Sequence, residues 1–291
     1  NLLVFYFIYR NADQTDKIHA AIEKLASGET SYKVDVNDFS SLEAELAEGL
    51  NRISDGLETA LAEQVKSERL KADLITNVSH DIKTPLTSII NYVDLIKRQH
   101  IEDPTVQKYL EVLDQKSQRL KTLTEDLVEA SRASSGNIKL EITNIDFVEL
   151  VQQTTGEFEE KYAIRHLEIV NTLPNEVIMI EADGRRLWRV LENLYNNAFK
   201  YALEGTRVYV TIEDHGADVV FTIKNVSANP LNISPDELTE RFVRGDVSRT
   251  TEGSGLGLSI AKDLTTLQGG KFELIIDGDL FKAQITFPIK N

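Results

Sequence analysis

Leu42, Leu46, Leu50, Ile53, Leu57 and Leu61 recur every three or four residues, with acidic residues between them. That spacing keeps one stripe of a helix apolar over several turns. After a break from His100 to Pro104, a second run sets Val106, Leu110, Leu113, Leu120, Leu123 and Leu127 on one helical face. Between Leu57 and Ser135 there is no glycine, and the only prolines are Pro85 and Pro104, so long helices meet few breakers. Two long helices joined by a short loop predict an antiparallel hairpin. Its single apolar seam needs a second copy to bury it, which predicts a homodimer built on a four-helix bundle.

Beyond Gly136 the period changes from helical to alternating. Ile138, Leu140 and Ile142 alternate with polar residues, as do Val208, Val210 and Ile212, and Val219, Phe221 and Ile223. Lys271–Ile276 and Phe281–Ile289 complete the strand candidates. Helical stretches are expected near 146–163, 183–203 and 255–268. Strands with helices on one side predict an α+β two-layer domain of roughly 150 residues. Upstream of the hairpin, Asp16–Gly28 reads as a short amphipathic helix. Glu29–Phe39 reads as an extended connector in which Val34 and Val36 alternate.

At 291 residues the chain fits two or three domains, and 41% hydrophobic content is enough for packed cores. A net charge of −15 argues against nucleic acid as a partner, because its phosphates would be repelled. With no cysteine there are no disulfides or thiolate metal sites. The histidines at 19, 80, 100, 166 and 215 form no i, i+4 pair and no HExxH motif, so a histidine metal site is not expected. Residues 2–9 are eight consecutive apolar or aromatic residues, too few for a span of roughly 20. With Arg10 following, residues 1–10 read as the cytoplasmic end of a transmembrane helix.

Three segments carry candidate chemistry. In Asn77–Thr87, His80 and Thr84 are four apart and share a helix face. Asp81 can hold one ring nitrogen of His80 and leave the other as a nucleophile, while Pro85 predicts a kink beside it. In Glu192–Tyr201, Asn193 and Asn197 lie on one face with Lys200 a turn further on. Carboxamides are poor helix formers, so their clustering invites a reason. Oxygen donors suit Mg²⁺ and lysine suits phosphate, although a solvated polar face would read the same way. In Glu252–Ser259, glycines alternate at the start of a helix, where backbone N–H groups and the helix dipole favour phosphate. No GxxxxGK[ST] loop is present.

Together and in this order, these segments resemble the sensor histidine kinases of two-component systems. Ser79–Leu86 is similar to their H-box, Asn193–Tyr201 to their N-box, Arg241–Asp246 to their F-box and Gly253–Leu258 to their second glycine box. The upstream helix and connector resemble a HAMP linker. The resemblance implies a membrane-end segment at 1–10 and a HAMP-like linker with signalling helix at 11–66. It places a dimerisation and histidine-phosphotransfer hairpin at 67–135 and an ATP-binding sandwich of the GHKL type at 136–291. It also implies cell-membrane localisation, with this part of the chain cytoplasmic.

The same resemblance implies that His80 is the phosphorylated nucleophile, with Asp81 as base, Arg244 offsetting transition-state charge and Thr84 serving a regulator phosphatase activity. ATP would be held by Asn193, Asn197, Lys200, Tyr201, Asn225, Phe242, Gly253, Gly255, Leu256, Gly257 and Leu258, with Asn197 as Mg²⁺ ligand. A response regulator would accept the phosphoryl group. One departure stands out. Where the family has an Asp-x-Gly-x-Gly box, this chain has Ile223-Lys-Asn-Val-Ser-Ala-Asn-Pro-Leu231, which puts Asn225 in the place of the adenine-binding aspartate. The competing expectations are a conformational ATPase with the same nucleotide boxes, or a non-catalytic scaffold with a degraded site.

Overall fold

The computed structural model describes residues 2–39, 41–99, 101–136, 138–240, 243 and 254–290. The chain divides into two units, Asn1–Lys71 and Ala72–Asn291.

In the first unit, helix α1 spans Leu2–Ala26, longer than the Asp16–Gly28 helix that the sequence predicts. Gly28 takes a left-handed φ of 96° and turns the chain out of it. The connector is not a strand; it closes on a 3₁₀ turn at Val36–Asp38, capped by Asp35. Helix α2, Ser41–Lys97, begins beyond the connector. Ala21, Val34, Phe39 and Ala47 form a small core there. Asn51 pins the connector to α2 by bonding both the N–H and the carbonyl of Val34, each at 2.9 Å. No helix among the described residues is long and apolar enough to cross a membrane.

In the second unit, the latter part of α2 and helix α3, Pro104–Ser134, form the expected hairpin. Asp103 caps α3 by accepting from Thr105 N and Val106 N, and Pro104 occupies the first turn, where no N–H is needed. Lys97 and Asp114 pair across the turn at 2.5 Å. Each holds the other's charge, raising the lysine pKa and lowering that of the carboxylate. Pro85 lies inside α2 without interrupting it.

The remainder is an α+β sandwich. A five-stranded sheet has the order β2-β4-β5-β7-β6, formed by Glu168–Thr172, Arg207–Asp214, Asp218–Val226, Leu280–Pro288 and Lys271–Asp277 respectively. Strand β2 runs parallel to β4, and the other pairs are antiparallel. Strands β1, Thr143–Asp146, and β3, Met179–Ala182, form a separate antiparallel pair. The helices are α4, Phe147–Ala163, α5, Gly184–Tyr201, a short α6, Pro235–Leu238, and α7, Gly257–Leu267. Alternate strand residues such as Val208, Val210, Phe221, Ile223, Ile285 and Phe287 meet the apolar sides of α4, α5 and α7 in one core. Ile138, Leu140 and Ile142 alternate but form no strand. That segment has no ladder partner, and pairing starts only at Thr143, opposite Ala182.

Candidate functional site

Helix α5 carries the carboxamide cluster, and both of its ends are fixed. Asp183 caps it by accepting from Arg185 N and Arg186 N at 3.1 Å each. At the other end the guanidinium of Arg165 takes the carbonyls of Phe199, Lys200 and Ala202, which no helical N–H can reach. Its neighbour His166 turns with a left-handed φ of 52°. The buried face of α5 is set by aromatic packing. Tyr195 lies against Phe158 with ring centroids 5.2 Å apart, and the Tyr162 hydroxyl donates to the Tyr195 carbonyl at 2.7 Å. With Tyr195 locked inward, the 3.6-residue period turns Asn193, Asn196, Asn197 and Lys200 toward the edge of a cavity.

That cavity, of about 330 Å³, is lined by Asn193, Asn197, Lys200 and Tyr201 from α5, Asn225 from β5, and Gly255, Gly257 and Leu258 at the start of α7. The structure thus brings Asn193–Tyr201, Asn225 and the glycine turn before α7 together, while Asn77–Thr87 is not part of this cavity. Leu256, also expected here, is buried beneath the turn and serves as the helix N-cap residue. Phe242, Arg244 and Gly253 lie outside the described residues.

Asn225 is 2% exposed, opposite Val208 on β4 and Phe281 on β7. Its Nδ2 donates to the Val226 carbonyl at 3.2 Å, while its buried Oδ1 has no partner among the described residues. A buried acceptor left unpaired costs about 1–3 kcal/mol. A ligand that brings an N–H donor to this end of the cavity would satisfy it. Asn193 Nδ2 is likewise buried without a partner, and a Cβ at Gly257 would lie 3.4 Å from Asn193 Oδ1. Gly255, with a left-handed φ of 71°, turns the chain into α7. Helices α4 and α5 are capped by Asp146 and Asp183, but α7 has no side-chain cap, and Gly257 and Leu258 in its first turn line the same cavity. The donor set therefore fits a nucleoside polyphosphate, with an acceptor for the base and cations and amides for the phosphates. Among the described residues no cluster of three or more His, Cys, Asp or Glu could hold a metal ion. A Mg²⁺ ion at this site would rely on the Asn197 carboxamide and on the phosphates it accompanies.

His80 and Asp81 project from α2 into solvent, with side chains 80% and 86% exposed. The Asp81 carboxylate faces Nδ1 at 3.7 Å, an ion-pair separation too long for the hydrogen bond expected from the sequence. The Thr84 hydroxyl donates to the His80 carbonyl at 3.4 Å, on the face they share. His80 lines a second cavity, of about 660 Å³, between the hairpin and α5. Thr122, Asp126, Arg189 and Glu192 form walls of both cavities.

Arg189, with Arg186 on Glu129 at 3.0 Å beside it, ties the hairpin to the sandwich. It bonds Asp126 at 2.6 Å and Glu129 at 2.8 Å on α3, and Glu192 at 2.5 Å on its own helix. Burial alone would lower its pKa, but the hydrogen bonds to Glu129 and Glu192 raise it, so the guanidinium stays charged. Asp126 also accepts from Ser254, beside the glycine turn, at 3.0 Å. Asp126, Glu129, Arg189 and Lys161 escaped the sequence reading. A charged residue on an amphipathic helix reads as solvent-facing until its partner on another element is known.

Residues 70–136 match the family described as the His Kinase A (phospho-acceptor) domain. Residues 182–290 match the histidine kinase-, DNA gyrase B- and HSP90-like ATPases. The chain is 28% identical to the sensor histidine kinase WalK of Bacillus subtilis over 79% of its own length and 39% of that protein's. It is 31% identical to the sensor protein VanS of Enterococcus faecium over 76% of its length and 58% of that protein's. It thus spans less than two thirds of these relatives. Histidine kinase ThkA, solved in complex with response regulator protein TrrA, superposes with a TM-score of 0.54 at 25% identity, covering 81% of this chain and 67% of that one. Full-length ShkA, solved with AMPPNP, superposes with a TM-score of 0.65 at 23% identity, covering 75% and 46%, and so shares the fold.

Proposed function

The chain belongs to the two-component sensor histidine kinases, and on that premise we propose that it transfers the γ-phosphoryl group of ATP to His80 and from there to an aspartate of a separate response regulator. The observation that carries this reading is the cavity in which Asn225 Oδ1, the α5 carboxamides and the uncapped start of α7 converge, in one unit with an exposed His80.

In this reading Asn225 accepts the adenine amino group, Tyr201 lies along the nucleotide, and Asn193, Lys200 and the α7 amides hold the phosphates. Mg²⁺ bound with the nucleotide would be held by Asn197 and would neutralise phosphate charge. With Asp81 beside Nδ1, His80 presents Nε2 as nucleophile. An N–P bond forms as the P–O bond to ADP breaks, and Asp81 draws off the Nδ1 proton. Arg244 is assigned the stabilisation of transition-state charge. His80 lines a solvent-open cavity rather than the nucleotide cavity itself, so the hairpin and the sandwich shift to bring donor and acceptor together.

The proposal extends to the whole protein. A second copy covers the apolar residues left exposed on the hairpin, such as Val78, Ile82, Ile89 and Leu113, and completes a four-helix bundle. Residues 11–66 act as a HAMP-like linker, residues 67–135 as the phosphotransfer domain and residues 136–291 as the ATP-binding domain. Membrane attachment through residues 1–10 rests on their apolar run. Thr84 orients a water for removal of phosphate from the regulator. The test is phosphotransfer: the chain labelled with γ-³²P-ATP should pass label to a purified regulator within minutes and lose it itself. Label that never leaves the kinase for any regulator of its host contradicts the relay.

A further inference from the structure

Lys161 stands outside every motif named above. It lies in the last turn of α4, half-buried against α5, and it lines the same cavity as Lys200. Its Nζ sits 4.9 Å from the ring centre of Phe199 and 5.0 Å from that of Phe158, and it donates to Asn196 Oδ1 at 2.6 Å. Among the described residues it makes no ion pair with a carboxylate. Two lysines therefore face one cavity from adjacent helices, and Asn196, which holds the first, adjoins Asn197, the expected metal ligand.

Placing an ammonium group in such a spot is unfavourable by itself. Burial lowers the Lys161 pKa, the charge of Lys200 lowers it further, and Glu192 offsets this only in part. The aromatic rings and the Asn196 carboxamide hold the group in place but do not neutralise it. An anion between the two lysines does so, and a polyphosphate is the anion that the rest of the cavity fits.

We infer that Lys161 is a second phosphate-binding cation of the nucleotide site, set on α4 and acting with Lys200 on the polyphosphate of ATP. This rests on the nucleotide reading of the cavity and adds a residue and a helix to it. A merely structural Lys161, packed on Phe158 and Phe199, would be indifferent to how many phosphates the ligand carries.

The test measures affinities of the whole chain for ATP, ADP and adenosine, comparing wild type with Lys161→Met and Lys161→Arg. Methionine keeps the aliphatic stem on the rings and removes the charge; arginine keeps the charge. Lys161→Met should weaken ATP and ADP about tenfold, equivalent to ~1.4 kcal/mol, leave adenosine unchanged, and be largely rescued by arginine. An equal loss for all three ligands, or no loss for any, overturns the assignment. A wild type that binds no ATP overturns the nucleotide reading itself, which keeps the two failures apart. Lysine acylation of the wild type, read by mass spectrometry, needs no variant. ATP should protect Lys161 and adenosine should not; equal protection by both also overturns the assignment.

Discussion

At Asn225 the chain has a neutral carboxamide where the resemblance read from the sequence implies a carboxylate, and the buried Oδ1 gives that departure a testable consequence. The buried Oδ1 awaits a donor, so Asn225→Leu should weaken ATP binding by about 1 kcal/mol, roughly fivefold. Asn225→Asp should bind at least as tightly, since a carboxylate accepts a stronger hydrogen bond. Calorimetric titration checks both, and a leucine variant with wild-type affinity would show that the base is held elsewhere. Thr84 allows a cleaner separation. Its hydroxyl only reaches back to the His80 carbonyl, so Thr84→Ala should leave autophosphorylation intact and lose most regulator dephosphorylation. Equal loss of both activities would make the residue structural. Residue chemistry was legible in the sequence wherever it was local: His80, Asp81 and Thr84 on one helix face, or Asn193, Asn197 and Lys200 on another. It was illegible where meaning comes from packing across elements, as for Lys161 beneath two aromatic rings and Arg189 between three carboxylates.

Among the elements, periodicity revealed those long enough to express it. Strands β4 to β7 and helices α4, α5 and α7 were legible because alternate or 3.6-spaced positions face one core. Strands β2 and β3 were not, being five and four residues long with no clean alternation. Leu140 and its neighbours misled for the opposite reason, since alternation without a ladder partner makes no strand. Two variants test the packing. A Cβ at Gly270 would fall 2.7 Å from Phe287 and 2.9 Å from Thr265, so Gly270→Ala should destabilise the sandwich by about 1–3 kcal/mol in urea unfolding. An unchanged midpoint would show that Phe287 can give way. Arg189→Leu strips Asp126 and Glu129 of their shared cation. It should cost on the order of 1–3 kcal/mol, below the about 3–5 of a fully buried pair because the group is partly solvated. It should also loosen the hairpin from the sandwich, read as faster hydrogen exchange in α3 near Asp126. Unaltered exchange there would mean that the contact holds nothing together.

For the whole molecule, the division into an all-α hairpin and an α+β sandwich followed from the shift in hydrophobic period near Gly136. The sequence alone could not show which face of α3 meets the sandwich; that contact includes Arg189, Asp126 and Ser254, distant in sequence and joined only by folding. The central claim is that the nucleotide site and the phosphorylated histidine belong to different parts of one chain. The measurement that tests it most directly compares wild type and His80→Gln, incubated with ATP, for acid-labile, alkali-stable phosphate on the protein and for ATP affinity. The account predicts that the variant gains no such phosphate while binding ATP as tightly as wild type. Acid-labile phosphate that persists on His80→Gln would contradict it.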